Sequence, residues 1–98
     1  MFTIRMTDKF DAWLKGLRDR RAANRILDRI VRAEGGNLGD VKVVGDGVSE
    51  MRIAYGPGYR LYFIQHGSVV IVLLCGGDKR TQKRDIAEAK RLAKEWKE

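Results

Sequence analysis

Apolar residues recur along this chain with two periods, one helical and one alternating, and the switches between them mark out its elements. Phe2, Ile4 and Met6 alternate with Thr3 and Arg5, which predicts a short strand. Thr7 or Asp8 is placed to cap a first helix. Phe10, Trp13, Leu14 and Leu17 stand at i, i+3, i+4 and i+7, the apolar stripe of that helix. Asp19 is the expected cap of a second helix, with Ala22, Ala23, Ile26, Leu27, Ile30 and Val31 on its apolar face and Gly35-Gly36 at its end. Two helices this close in sequence predict an antiparallel hairpin.

The pattern then turns to strands. Asn37-Leu38-Gly39-Asp40 is a turn, Val41 and Val43 flank Lys42 in a short strand, and Gly45-Asp46-Gly47 turns the chain again. From Val48 to Lys79 three consecutive antiparallel strands are expected. Met51, Ile53 and Tyr55 point one way, Glu50, Arg52 and Ala54 the other. With Gly56-Pro57-Gly58 as the whole hairpin loop, Ala54 faces Arg60 and Arg52 faces Tyr62. Directly opposed side chains share a face, so Glu50, Arg52, Arg60 and Tyr62 gather on one side. Gly67-Ser68 makes the next hairpin. Val69 to Leu74 is continuously apolar, a strand covered on both faces. Pairing His66 with Val69 sets Cys75 opposite Arg60 and Leu73 opposite Tyr62. The arginine face is then apolar toward Ile64 and Ile71 and open toward Arg60. The chain leaves this strand at Gly76-Gly77-Asp78-Lys79, at the Arg60 end of the sheet. Thr81 caps a last helix with Ile86, Ala89, Leu92, Ala93 and Trp96 as its apolar stripe, and Lys83, Arg84, Lys90, Arg91, Lys94 and Lys97 fill much of the rest.

These elements predict an α+β fold. An N-terminal helical hairpin packs on a mostly antiparallel sheet of four to five strands, followed by a C-terminal helix. With 98 residues the chain is expected to form one domain, 1–98. The longest apolar run, Val69 to Cys75, is too short to span a bilayer, and the N-terminus lacks the apolar region of a signal peptide, so a cytoplasmic protein is expected. The lone Cys75 excludes an internal disulfide framework and reads as a buried core residue.

Charge changes the picture. The net charge is +7, and it is uneven: residues 1–34 carry a net +4 and residues 78–98 a net +3, while the middle is balanced. A small basic domain favours a polyanionic partner, nucleic acid first, or an acidic protein that masks it. Arg20, Arg21, Arg25, Arg29 and Arg32 on the second helix form either a contact surface or a solvated face. Arg52, Arg60 and Lys79 at one open corner make a phosphate site: arginine donates in bidentate fashion and lysine adds a mobile point charge. Such a site can stabilise the added charge of a pentacovalent phosphorus. If RNA is the substrate, its own 2′-OH is the nucleophile and no metal is required. Glu50, Lys79, Asp85 and Tyr62 are the acid–base candidates at that corner. The alternative for Glu50, Arg52 and Arg60 is an ion-pair cluster of little energetic consequence. No Ser-His-Asp order, metal-ligand cluster or nucleotide-binding phosphate loop is present, and no cofactor is expected. His66 falls at a hairpin tip, away from the corner.

The segments FDAWLKGLRD, GNLGD, EMRIAYGPGYRLYF and LLCGGDKRTQKRDI, in that order, resemble the RelE/ParE toxin superfamily of bacterial type II toxin–antitoxin modules, and within it the HigB-like branch of addiction module killer proteins. The resemblance covers nearly the whole chain. It implies a RelE-like α+β toxin, neutralised by a small antitoxin, usually a helix-turn-helix DNA-binding protein. It implies ribosome-dependent cleavage of mRNA, the work of an mRNA interferase that inhibits translation. Carried over from the motif of the nuclease members, Arg52 stands for the second lysine of the third strand, Arg60 for the arginine after the turn, and Lys79 for the arginine after the last strand. Glu50 stands where the first lysine would be and Asp85 where a tyrosine would be, so the charge term is retained and the acid–base assignments are not. Tyr62, Lys42, Lys83 and Arg84 are the expected RNA contacts around these. ParE-like members that bind DNA gyrase share the fold, and a non-catalytic RNA- or protein-binding module is the third reading.

Overall fold

The computed structural model of the chain describes residues 1–96; Lys97, counted above among the cations of the last helix, lies outside them. The elements follow in the order β1 (Thr3–Met6), α1 (Asp8–Lys15), α2 (Arg20–Glu34), β2 (Val41–Gly45), β3 (Val48–Ile53), β4 (Tyr59–His66), β5 (Val70–Asp78), a short 3-10 turn (Lys79–Thr81) and α3 (Gln82–Glu95). The five strands form one sheet in the order β1-β5-β4-β3-β2. Only β1 runs parallel to its neighbour, β5; the other pairings are antiparallel.

The helix signals operate as the sequence implies. The Thr7 hydroxyl accepts the Phe10 N–H at 3.0 Å and donates to the Leu74 carbonyl at 2.5 Å, so one side chain caps α1 and ties it to β5. Asp19 accepts the N–H groups of Arg21 and Ala22, capping α2. The two helices share one apolar cluster on one face of the sheet, where Phe10, Ile26, Ile30 and Ala33 meet Met51, Ile53, Leu61, Phe63, Ile71 and Leu73. The α3 stripe covers the other face, with Ala89, Ile86, Leu92, Ala93 and Trp96 against Val48, Tyr62, Val72, Leu74 and Cys75. Sheet strands flanked by helices on both faces explain the unbroken apolar run of β5.

Four expectations need correction. Leu27 and Val31 are exposed, because the buried face of α2 centres on Ala22, Ile26, Ile30 and Ala33. The Gly-Pro-Gly hairpin has a five-residue connection, 54–58, so Arg52 pairs with Arg60 and Glu50 with Tyr62. This slip is two residues, which leaves each side chain on its expected face. The β4–β5 connection spans residues 67–69, and His66 pairs with Val70. That one-residue slip turns Ile71 and Leu73 to the α1–α2 face. A bulge beside the Tyr62/Phe63 step then restores the parity, so Cys75 pairs with Tyr62 and Gly77 with Arg60. Lastly, Thr81 makes no side-chain cap to α3. Its hydroxyl goes to the Asp85 carboxylate at 2.5 Å, and Asp78 caps the 3-10 turn through the Arg80 N–H at 2.8 Å.

Across the outer edge of the sheet, Lys9 of α1 pairs with Glu88 of α3, and Arg91 holds the same carboxylate at 2.6 Å. The bonds from Arg91 and Lys9 depress the Glu88 pKa to about 2. A depressed folded-state pKa stabilises fully above the ordinary carboxylate range and loses that contribution as pH falls toward about 2. Wild type and Glu88→Gln are therefore expected to differ in thermal midpoint near pH 6 and to converge by pH 2–3 (about those values, following the two pKa limits). Thermal unfolding followed by circular dichroism across that range checks it; a constant difference would remove Glu88 from the account.

Candidate phosphate-binding cleft

The two arginines expected side by side are directly opposed on neighbouring strands. Like charges so placed repel, with Cβ atoms about 5 Å apart. Each is drawn to its own carboxylate. Arg52 donates to Asp40, just before β2, at 2.9 Å. Arg60 lies 3.9 Å from Glu50 and donates to the Gly58 carbonyl at 2.7 Å. The Nε groups of both arginines are buried and have no hydrogen-bond partner among the described residues, although the Arg60 Nε is the atom facing Glu50.

Arg52, Arg60 and Lys79 line one open cleft of about 420 Å³, together with Asp40 and the 54–58 loop. Lys79 arrives there because β5 continues through Asp78, four residues past the apolar run, and the 3-10 turn then lays Lys79 beside Gly58. A Cβ on Gly58, at φ +81°, would stand 3.1 Å from the Arg60 Nη1 and 3.6 Å from the Lys79 Cβ, so the glycine lets loop and turn close on the corner. Among the described residues Lys79 takes part in no ion pair, and its side chain is exposed.

The acidic candidates lie elsewhere. Glu50 is 1% exposed beneath the start of α3, where Gln82 donates to it at 2.9 Å. Asp85 is buried over Gly77, held by Thr81 and 3.6 Å from Arg84. Neither lines the cleft. Tyr62 is fully buried near these carboxylates, and its hydroxyl has no hydrogen-bond partner among the described residues. Burial first, and the nearby Glu50 and Asp85 charges after it, push its pKa far above the ordinary phenol value, so it stays protonated. Burial likewise raises the Cys75 thiol to about 12. Of the expected RNA contacts, Lys42, Lys83 and Arg84 are exposed, Lys42 on β2 and the other two on the first turn of α3.

Two residues of the corner escaped sequence reasoning. Asp40 sat in a turn signal; its carboxylate is held below the usual range chiefly by the hydrogen bond from Arg52. Arg29 read as one cation of a surface stripe. It instead donates to the Arg52 carbonyl at 2.5 Å and the Leu38 carbonyl at 3.1 Å, tying α2 to the backbone that carries Arg52 and to the approach of β2. Its placement one turn from the buried face was the available signal. Arg25, by contrast, stacks over Tyr55 at 5.1 Å, at the mouth of the same loop.

Comparison with known proteins identifies the family. Residues 8–97 match the family of phage-derived Gp49-like proteins (DUF891). A Haemophilus influenzae protein, itself uncharacterized, is 50% identical over 92 residues, covering 94% of this chain and 93% of that protein. The match extends from the first helix to the last and spans every residue of the cleft, so the chain belongs to the Gp49-like phage-derived family, a RelE/HigB-like toxin family.

Proposed function

We propose that this toxin-family protein is an mRNA interferase, a metal-independent endoribonuclease that cuts mRNA on the ribosome and so stops translation. The observation that carries this reading is the convergence of Arg52, Arg60 and Lys79 on one open cleft. A bridging phosphate entering there meets two guanidinium groups and an ammonium. The Asp40–Arg52 pair is the weak part of the cleft, because both side chains are substantially exposed. Phosphate displaces Asp40 from Arg52, and the released carboxylate loses the hydrogen bond that depressed its pKa.

Asp40 is then the carboxylate nearest the reacting groups and takes the proton of the 2′-OH. The 2′-oxygen bonds to phosphorus, the bond from phosphorus to the 5′-oxygen breaks, and the leaving oxygen takes a proton from the Lys79 ammonium; solvent then returns a proton to Lys79 and removes one from Asp40. The products are a 2′,3′-cyclic phosphate and a 5′-hydroxyl. Glu50 and Asp85 serve as supports in this scheme, one behind Arg60 and the other in the first turn of α3. Lys42, Lys83 and Arg84 supply surrounding positive charge, whereas buried Tyr62 makes no direct contact. The family implies an antitoxin partner, for which a helix-turn-helix protein is the expected form, and action on ribosomes places the protein in the cytoplasm.

Expression in growing bacteria with mapping of mRNA 5′ ends tests this. Wild type is expected to produce cuts within translated frames, and Lys79→Ala to lower cleavage about a hundredfold, the lower end of what one charge-stabilising group contributes. Asp40→Asn is expected to separate binding from cleavage. RNA binds a few-fold tighter at low salt, with one opposing charge removed, while cutting falls. Intact mRNA with a DNA-damage response would instead identify a gyrase poison.

A further inference from the structure

A second groove, of about 780 Å³, lies on the far side of β5 from the cleft. It exists because β1 pairs with β5 only as far as Leu73, leaving the last part of β5 as an edge. Cys75 and Gly76 form its floor. α1 contributes Ala12 and Trp13 as one wall, and α3 contributes Arg84, Ala87 and Arg91 as the other. The Trp13 ring lies so close over Gly76 that a Cβ there would fall 2.3 Å from it. Phe10 and Tyr59 brace the indole at 5.7 and 6.2 Å between ring centres.

The chain leads from the cleft toward this groove. Lys79 of the cleft is followed by Arg80, which lines a shallow depression with Lys83, Arg84 and Ala87. Arg84 and Ala87 also line the groove. The intervening track therefore presents Arg80, Lys83 and Arg84, all exposed. The carboxylates here are already engaged, Glu88 by Lys9 and Arg91, Asp85 by Thr81 and Arg84, and Asp78 by Arg80; Lys83 is in no ion pair among the described residues. An aromatic face beside guanidinium groups, at the end of a cationic track, is the chemistry that holds an unstacked base of single-stranded RNA.

We propose that RNA seated at the cleft continues over Arg80, Lys83 and Arg84 and places one unpaired base in the α1–α3 groove against Trp13. This rests on the RNA reading above, and it adds a nucleotide subsite remote from the scissile phosphate. An extended peptide paired with the free edge of β5 is the competing occupant; the cationic track and the continuity with the cleft favour RNA.

The test uses Trp96→Phe, which leaves Trp13 as the sole tryptophan. It is titrated with an RNA octanucleotide blocked by 2′-O-methyl groups and with the corresponding dinucleotide. Binding is followed by anisotropy of a labelled strand and by Trp13 fluorescence. The octamer is expected to quench Trp13 and the dinucleotide not to. Ala87→Glu and Ala12→Glu, at exposed wall positions, are expected to weaken the octamer about tenfold, the worth of one stacked base, and the dinucleotide less than twofold. Octamer binding that is lost in Lys79→Ala yet neither quenches Trp13 nor responds to the wall variants overturns the groove and leaves the RNA reading standing. Absence of octamer binding to the wild type by anisotropy overturns the groove, while the mapped mRNA ends decide the RNA reading separately. Quenching by a peptide of the antitoxin, with none by the octamer, assigns the groove to a protein partner and overturns the proposal.

Discussion

Gly77→Ala lowers the unfolding midpoint by about 10–20 °C, corresponding to roughly 3 kcal/mol for a domain of this size. An alanine Cβ at this position would stand 1.8 Å from Asp85 Oδ2 and 3.0 Å from the Thr81 hydroxyl, so neither can stay. The carboxylate is itself buried, and pushing it aside breaks the Thr81–Asp85 hydrogen bond that sets the first turn of α3. The cost has two parts, a steric one and a buried charge deprived of its partner. Pairing the change with Asp85→Ala separates them. The double variant removes the obstructing carboxylate and is expected to be more stable than Gly77→Ala alone. Thermal melts of the three variants decide the matter, and a double variant no more stable than Gly77→Ala would mean that the clash is not with Asp85.

Arg60→Met is the second large effect, and it mixes stability with function. The change removes the cation facing Glu50, whose carboxylate is 1% exposed and is left with the Gln82 amide alone. Removing one partner of a buried pair costs about 3 kcal/mol, more than the pair itself contributes. Loss of toxicity in this variant would therefore not identify Arg60 as part of the phosphate grip. Glu50→Gln added to Arg60→Met removes the stranded charge while keeping a hydrogen-bonding side chain against Gln82. It is expected to recover half or more of the lost stability in urea melts. Cleavage is expected to stay absent, because the guanidinium is still missing. Recovery of both stability and cleavage would make Arg60 a structural residue only. Lys79, exposed and without an ion pair among the described residues, provides the cleaner functional variant.

Much of the fold could be read from the chain because its elements obey local rules. Thr7 and Asp19 cap the helices they precede, and the stripes of α1 and α3 bury as their spacing implies. The grouping of Glu50, Arg52, Arg60 and Tyr62 on one face survived an incorrect hairpin register, since strand faces repeat every second residue and the slip was two. Ile71 and Leu73 were misplaced because a one-residue difference at the 67–69 connection inverts the face. The bulge that cancels this at Cys75 is a tertiary choice that no local pattern announces. Leu27 and Val31 satisfied the helical period, but that period does not say how wide a stripe the sheet can cover.

The site was legible in its cations and not in its carboxylates. Arg52, Arg60 and Lys79 could be placed from strand geometry and chain order. Depth could not: whether Glu50 and Asp85 face the cleft depends on where the first turn of α3 rests. The chain was expected to leave the strand at Gly76-Gly77, whereas both glycines lie within β5, one beneath Trp13 and the other beneath Asp85. Their requirement is for space above the strand rather than for an unusual backbone angle, since neither has a positive φ.

The buried Cys75 gives this molecule a built-in clock. Its sulfur lies 3.6 Å from the Asp85 carbonyl, under the first turns of α3, and the high thiol pKa keeps it unreactive while that cover is in place. Because Cys75 also forms part of the floor of the α1–α3 groove, a thiol reagent approaches it from there. The labelling rate of the sole thiol therefore reports how far that groove opens over the sulfur, in a protein that needs no engineered probe.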